Sequence, residues 1–204
     1  MKYLLILACV LVALSVLAPL FMNSAIGQTE KQPYRVVLTE GDFEVRFYPS
    51  AVLATVRSDA TSYREMSGSG FRRVAGYIFG GNARNQKIAM TAPVHMDIGG
   101  SGSSMSFVMP AGYDLENLPK PDDPGVVLER SGEEHVAALR FSGWASDAVL
   151  SRRSEELYRI LREKGLEPVG NLRYLGYDPP YRVSGRRNEV VVAIRWTEAG
   201  NPAQ

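Results

Sequence analysis

Three guanidinium groups, Arg182, Arg186 and Arg187, crowd one stretch, GYDPPYRVSGRRNEV at residues 176–190. Guanidinium pairs with carboxylate through two parallel hydrogen bonds, so such a cluster can clamp an acidic ligand. A solvated, salt-bridged loop would use the same residues. A second basic pair, Arg64 and Arg72, lies in a helical stretch from about Thr61 to Phe79. At about 100° per residue, Tyr63, Met66, Gly70, Val74 and Tyr77 share one stripe, the natural core face. Arg64, Gly68, Phe71 and Ala75 share another, with Arg72 at its margin. Phe71 is odd for plain solvent, and Gly68 and Ala75 leave room beside it. A flat apolar ligand lying there would meet Arg64 and Arg72 at its acidic edge. An irregular surface helix with one stray aromatic is the alternative; Gly68 and Gly70 each weaken it by about 1 kcal/mol relative to alanine.

Reactive groups are few. The chain has two histidines, His95 and His135, too few for a three-histidine metal site. His95 is a weak candidate axial ligand, since a lone strand histidine is more often a packing or surface residue. His135, beside Glu133 and Glu134, is expected to be exposed. Met66, Met90, Met96, Met105 and Met109 are expected to fill the core. There is no G-x-S-x-G elbow, no H-E-x-x-H and no P-loop. Glu129, Glu133 and Glu134 sit near a turn, where solvation is their ordinary state. The expectation is a binding protein, not an enzyme. The 23 basic and 22 acidic side chains balance, which argues against a broad nucleic-acid surface.

The elements that must position these groups repeat. Val36, Leu38, Phe43, Val45 and Phe47 alternate with polar residues around Gly41-Asp42, and Val52, Ala54 and Val56 continue the pattern. The first helix follows, closed by Gly80-Gly81-Asn82. KIAMTAPV at 87–94 comes next, then a strand around Met105–Met109. KIAMTAPV has no reactive group, and Pro93 cannot donate to a ladder, so the stretch shapes a sheet at an edge or bulge. Pro110 to Pro124 resembles a linker. Strands at Val126–Glu129 and His135–Phe141 then precede a helix capped by Ser146 that runs to about Lys164, with Gly165 beyond. Strands near Val169–Tyr177 and Asn188–Trp196 end the pattern. Two units of strand, strand, helix, strand, strand predict an α+β fold. Its eight strands would form one antiparallel sheet or distorted barrel, with two helices packed outside.

Residues 1–27 differ from the rest. Lys2 precedes an apolar run, Tyr3 to Met22, and Ala25-Ile26-Gly27 follows with small residues at both ends. This predicts a secretory signal cut after Gly27. The alternative is an uncleaved anchor, since about 20 apolar residues span a bilayer. Either places the rest in the periplasm or outside the cell, membrane-tethered through 3–22 in the second case. Cys9, the single cysteine, falls in the leader. The expected mature chain thus has no disulfide, thiolate metal site or covalent haem attachment. Residues 28–33 are expected as a linker, 34–196 as the domain and 197–204 as a polar tail.

KIAMTAPV at 87–94 and GYDPPYRVSGRRNEV at 176–190 resemble the two signature stretches of the SOUL haem-binding family. EGDFEVRFYPSAVLATV at 40–56 resembles its entry strands. The resemblance spans about Tyr34 to Trp196. It implies an eight-stranded, two-helix pseudo-repeat that holds haem non-covalently against the first helix, with no other metal. By motif position it implies Arg64, Arg72 and Arg182 near the propionates. Phe71, Gly68 and Ala75 would form the apolar face. Some members carry a proposed haem-ligating histidine where this chain has Phe47, so that ligand is missing here. The same architecture also resembles effector-binding domains of bacterial transcription regulators, which often use a buried acid for cationic ligands.

Overall fold

Alternating apolar residues give three strands before the first helix: β1 (Arg35–Glu40), β2 (Phe43–Tyr48) and β3 (Val52–Ser58). Helix α1 (Tyr63–Ile78) and strands β4 (Val94–Gly99), β5 (Gly102–Val108), β6 (Val126–Arg130) and β7 (Glu134–Phe141) follow. Helix α2 (Asp147–Lys164) leads to β8 (Pro168–Gly176) and β9 (Asn188–Ile194). This is a computed structural model that describes residues 29–99 and 102–197. The expected leader, residues 1–27, and the tail from 198 onward lie outside the described residues. Lys31–Gln204 forms one compact unit, distinct from Met1–Glu30.

Among the described residues the strands form one antiparallel nine-stranded sheet in the order β1-β2-β7-β9-β8-β4-β5-β3-β6. From β7 to β3 that order is palindromic: β7, β9 and β8 mirror β3, β5 and β4. The repeat is therefore β2-β3-α1-β4-β5 followed by β6-β7-α2-β8-β9. The ninth strand, β1, is an addition that hairpins onto β2 at one edge. The edges β1 and β6 do not pair, so the sheet stays open and the barrel form of the expectation is not adopted.

Both helices cover the same face. Ser62 and Ser146 cap them, accepting from the N–H groups of Glu65 and Val149. Gly165 ends α2 at φ 64°, a conformation that suits glycine. Met66, Val74 and Tyr77 of α1 and Leu150, Leu157 and Leu161 of α2 bury against Phe107, Met105, Leu139 and Val192. Gly70 lets α1 approach the sheet: a Cβ there would lie 2.8 Å from Met66 Cε and 3.3 Å from Met105 Cβ. Met66, Met96, Met105 and Met109 are core residues, as expected.

The KIAMTAPV stretch is mostly irregular. Ile88 is buried and donates its N–H to Ile78 O at 2.8 Å. Thr91–Ala92 forms a two-residue strand outside the large sheet, and β4 begins at Val94. Pro93, with its missing N–H, falls at the break between them. The 110–124 stretch is less free than a linker. Leu118 is buried, Tyr77 Oη donates to Pro119 O, and Arg73 grips Asp123 at 2.7 and 2.8 Å.

Candidate ligand-binding site

Helix α1 brings most of the expected site residues together. Arg64 and Arg72 are exposed, and neither forms an ion pair among the described residues. Phe71 is half-buried, with its ring centroid 5.4 Å from that of Phe107. Its stripe therefore straddles the core boundary. A Cβ added at Gly68 would meet nothing within 4 Å, so the space beside Phe71 is open there. Ala75 differs from the expectation: it is only 5% exposed and belongs to the core. At about 120° from Tyr63 around the helix it falls on the flanking stripe, yet it packs within the core cluster.

The three arginines of the β8–β9 loop have separate tasks. Arg182 Nη1 donates to Asp178 Oδ1 at 2.7 Å, and its Nε to Ser184 O. Arg186 is buried, donates to the carbonyls of Pro179 and Arg182, and lies 4.4 Å from the Trp144 ring centroid. Arg187 turns to the helix-free face and grips Glu189. The loop is thus internally ion-paired rather than one open clamp. No hydrogen bond or ion pair joins Arg182 to α1 among the described residues.

The family model described as SOUL heme-binding protein matches residues 29–193, nearly the whole described chain. The chain belongs to the SOUL family. Heme-binding protein 2 of Mus musculus is 29% identical over 78% of this chain and 82% of that protein. Heme-binding protein 1 of Sus scrofa is also 29% identical, over 82% of this chain and 94% of that protein. Among solved structures, the C-terminal domain of EcmrR superposes with a TM-score of 0.54 at 10% identity, covering 80% of this chain and 99% of that one. SAV2435 bound to tetraphenylphosphonium gives 0.51 at 11% identity, covering 78% and 96%. At such identities these two show the fold alone.

In this SOUL chain the helix-free face of the sheet is charged. Glu189 has no exposed side-chain surface. It accepts from Arg46 Nη1 and Nη2 at 2.6 and 3.0 Å, and from Arg187 Nε and Nη2 at 2.9 and 2.7 Å. Tyr177 Oη donates to it as well, at 2.9 Å. Arg46 also holds Glu44, and its guanidinium carbon lies 4.4 Å from the Tyr34 ring centroid. Burial pushes the Glu189 carboxyl up, but the hydrogen bonds and charges of Arg46 and Arg187 outweigh it and hold the group below the usual carboxylate range. Sequence reading assigned these residues no role. The available signal was a charge at every second position, Glu44-Arg46 and Arg187-Glu189, within strands whose other side is apolar.

His95 lies on that same helix-free face, paired in register with Leu175 and Ser106. Its Nε2 is 2.7 Å from Gln32 Oε1. Gln32, in the stretch expected as a linker, is buried and donates its N–H to Ala92 O. Desolvation, helped by the charge of Arg173, pushes the imidazole down to about 3. The sheet separates His95 from Phe71, so it cannot ligate iron held against α1. His135 is half-buried rather than exposed: its ring centroid is 5.1 Å from that of Phe47 and 6.2 Å from that of Trp196. Among the described residues no group of three or more His, Cys, Asp or Glu side chains could hold a metal ion.

Two of the clefts among the described residues lie elsewhere. One of about 180 Å³ runs between α2 and the sheet, with Met96, Ile98, Leu150 and Leu172 as its apolar lining and Asp147 at its lip. The other, about 440 Å³, is polar, bounded by Arg57, Asp59, Asp97 and Ser104. An apolar macrocycle finds no matching surface in the second.

Proposed function

We propose that this SOUL protein binds haem or a related tetrapyrrole non-covalently, outside the cytoplasm, as a carrier, buffer or sensor without catalysis. One observation carries the reading: two exposed guanidinium groups without ion partners, Arg64 and Arg72, stand beside a half-buried aromatic ring and the open space at Gly68. Bound haem would supply a redox-capable iron and two carboxylates. Phe71 would supply apolar contact, at roughly 25 cal/mol per Å² buried before binding costs. Arg64 and Arg72 would pair with the carboxylates, and Arg182 would do so only by sharing or leaving Asp178. The relatives named heme-binding proteins support the ligand class.

An absorbance titration in the Soret region tests the reading. Arg64→Ala and Arg72→Ala each weaken haem binding about two- to fivefold, the range left to exposed charge pairs after solvent screening. Arg182→Ala has a smaller effect. Unchanged affinity in both helix variants would overturn the site. Without an axial ligand, the iron-free porphyrin binds within about a hundredfold of haem, or about 2.7 kcal/mol. A larger gap would mean direct ligation.

Gly68 gives a sharper contrast. Gly68→Leu adds a good helix former at an open position, so thermal stability holds or rises slightly. The leucine fills the space beside Phe71, and tetrapyrrole affinity drops at least tenfold. Retained affinity would place the ligand elsewhere.

A general small-molecule receptor is the second reading, favoured by the apolar cleft along α2 with Asp147 at its lip. The buried acid such a receptor would offer a cation is not free here, because Glu189 is saturated by two arginines and Tyr177.

A further inference from the structure

The β8–β9 loop is inside out. Asp178 is 5% exposed at its side chain, accepting from Arg182 and from the Arg187 N–H. Arg186 is 8% exposed, its guanidinium spent on carbonyls of the same loop and stacked on Trp144. Between them, Tyr181 is 53% and Val183 79% exposed, and Trp144 is 54% exposed. Loops ordinarily turn charge outward. Here the charges brace the loop from within and hold three large apolar side chains in solvent.

Register places the patch. Phe141 pairs with Asn188, Asn188 with Gly176, and Gly176 with Val94. The ends of β7 and β8 and the starts of β9 and β4 therefore lie side by side. Trp144 follows β7 within a few residues, and the 177–187 loop joins β8 to β9. Gln32 binds Ala92 just ahead of β4. The folded unit thus receives its N-terminal chain at the end that carries the exposed apolar residues. Upstream of that point the sequence holds the apolar run Tyr3–Met22.

We propose that this end of the sheet is a membrane-docking surface whose partner is the headgroup region of a lipid bilayer. Trp144 and Tyr181 are the residue types that settle at the water–hydrocarbon boundary, with a polar tip in the headgroups and the ring below. Val183 reaches the upper acyl chains. Arg182 and Lys31 supply positive charge for lipid phosphates, while Asp178 is turned inward. Asp42, in the nearby β1–β2 turn, and Glu30, beside Lys31, are exposed acids that limit the tilt of this face towards anionic lipid. Among the described residues no helix is long and apolar enough to cross a membrane, so this is surface docking by the folded unit.

The chain has two tryptophans, which makes the test direct. Trp196 follows the far end of β9 and is half-buried near His135. In the full chain, Trp196→Phe leaves Trp144 as sole reporter, and Trp144→Phe leaves Trp196. Residues 1–28 contain no tryptophan, so they add no signal whether or not they insert. Each variant is mixed, without porphyrin, with vesicles of brominated phosphatidylcholine and one-fifth phosphatidylglycerol. Trp144 emission shifts to the blue and falls severalfold, while Trp196 emission is unchanged. Tyr181→Ser with Val183→Ser restores most of the lost Trp144 emission without changing the melting temperature. Unquenched Trp144, or equal quenching of both tryptophans, would overturn the proposal. Since no tetrapyrrole is present, failure here leaves the ligand reading standing, and the converse also holds.

Discussion

Replacing Glu189 with alanine lowers the unfolding free energy by about 3–5 kcal/mol, because it strands the buried Arg46 guanidinium and the half-buried one of Arg187. Arg46 and Arg187 both aim at that carboxylate, and Arg46 is enclosed beneath Tyr34. Without it their charges repel at a site where Arg46 is 2% and Arg187 21% exposed. A urea melt of wild type and Glu189→Ala reads the difference as a shift in midpoint. The net worth of the cluster is a separate matter. Changing Arg46, Arg187 and Glu189 together to apolar residues of similar volume costs far less than Glu189→Ala alone, since the one charge left without its partner, Glu44, is 26% exposed and reaches water. If the single and triple variants were equally unstable, packing rather than charge would hold this face. Neither variant touches α1, so tetrapyrrole affinity at pH 7 persists in whatever fraction stays folded.

Acid weakens the protein in two windows that overlap below about pH 4.5. His95 is held neutral in the folded state at about 3, against an ordinary value of 6.5. Below 6.5 the unfolded chain takes up a proton that the folded chain refuses. Stability therefore falls by about 1.4 kcal/mol per pH unit from near 6.5 down to about 3. Between pH 6.5 and 5 the loss from this group is about 2 kcal/mol. Glu189 acts in the opposite charge sense but the same pH direction. Its folded value lies below the ordinary carboxylate range, so its contribution is complete above about 4.5 and is lost as pH falls through the folded value. Urea melts of wild type and His95→Gln at pH 7 and pH 5 isolate the first window. Glutamine keeps a partner for Gln32 but cannot titrate, so the slope between those pH values flattens. An unchanged slope would mean that His95 does not govern it.

These two residues show where sequence reading stops. GRRNEV reads as part of a basic loop, and nothing local in it singles out Glu189. Period-two alternation puts Glu189 on the opposite side from Val190. It does not say that this side is roofed by Tyr34 and Tyr177, nor that its partner is Arg46, 143 positions away. His95 was separated from other strand residues by type alone. Its face, and hence its distance from α1, came from the pairing of β4 with β8 and β5. Arg182 was grouped with Arg64 and Arg72 by charge, yet a local partner, Asp178, occupies it.

The sequence by itself determined the order of elements, the Ser146 cap, the Gly165 stop, the core stripe of α1 and membership in the SOUL family. These rest on local signals: alternation, helical spacing, a capping side chain within one turn, and two long motifs. Only the tertiary structure decided that the sheet stays open, that Ala75 is covered, that Glu189 is neutralised and that Tyr181 and Val183 face outward. Each depends on residues distant in the chain meeting across strands, and neither composition nor period encodes which meet.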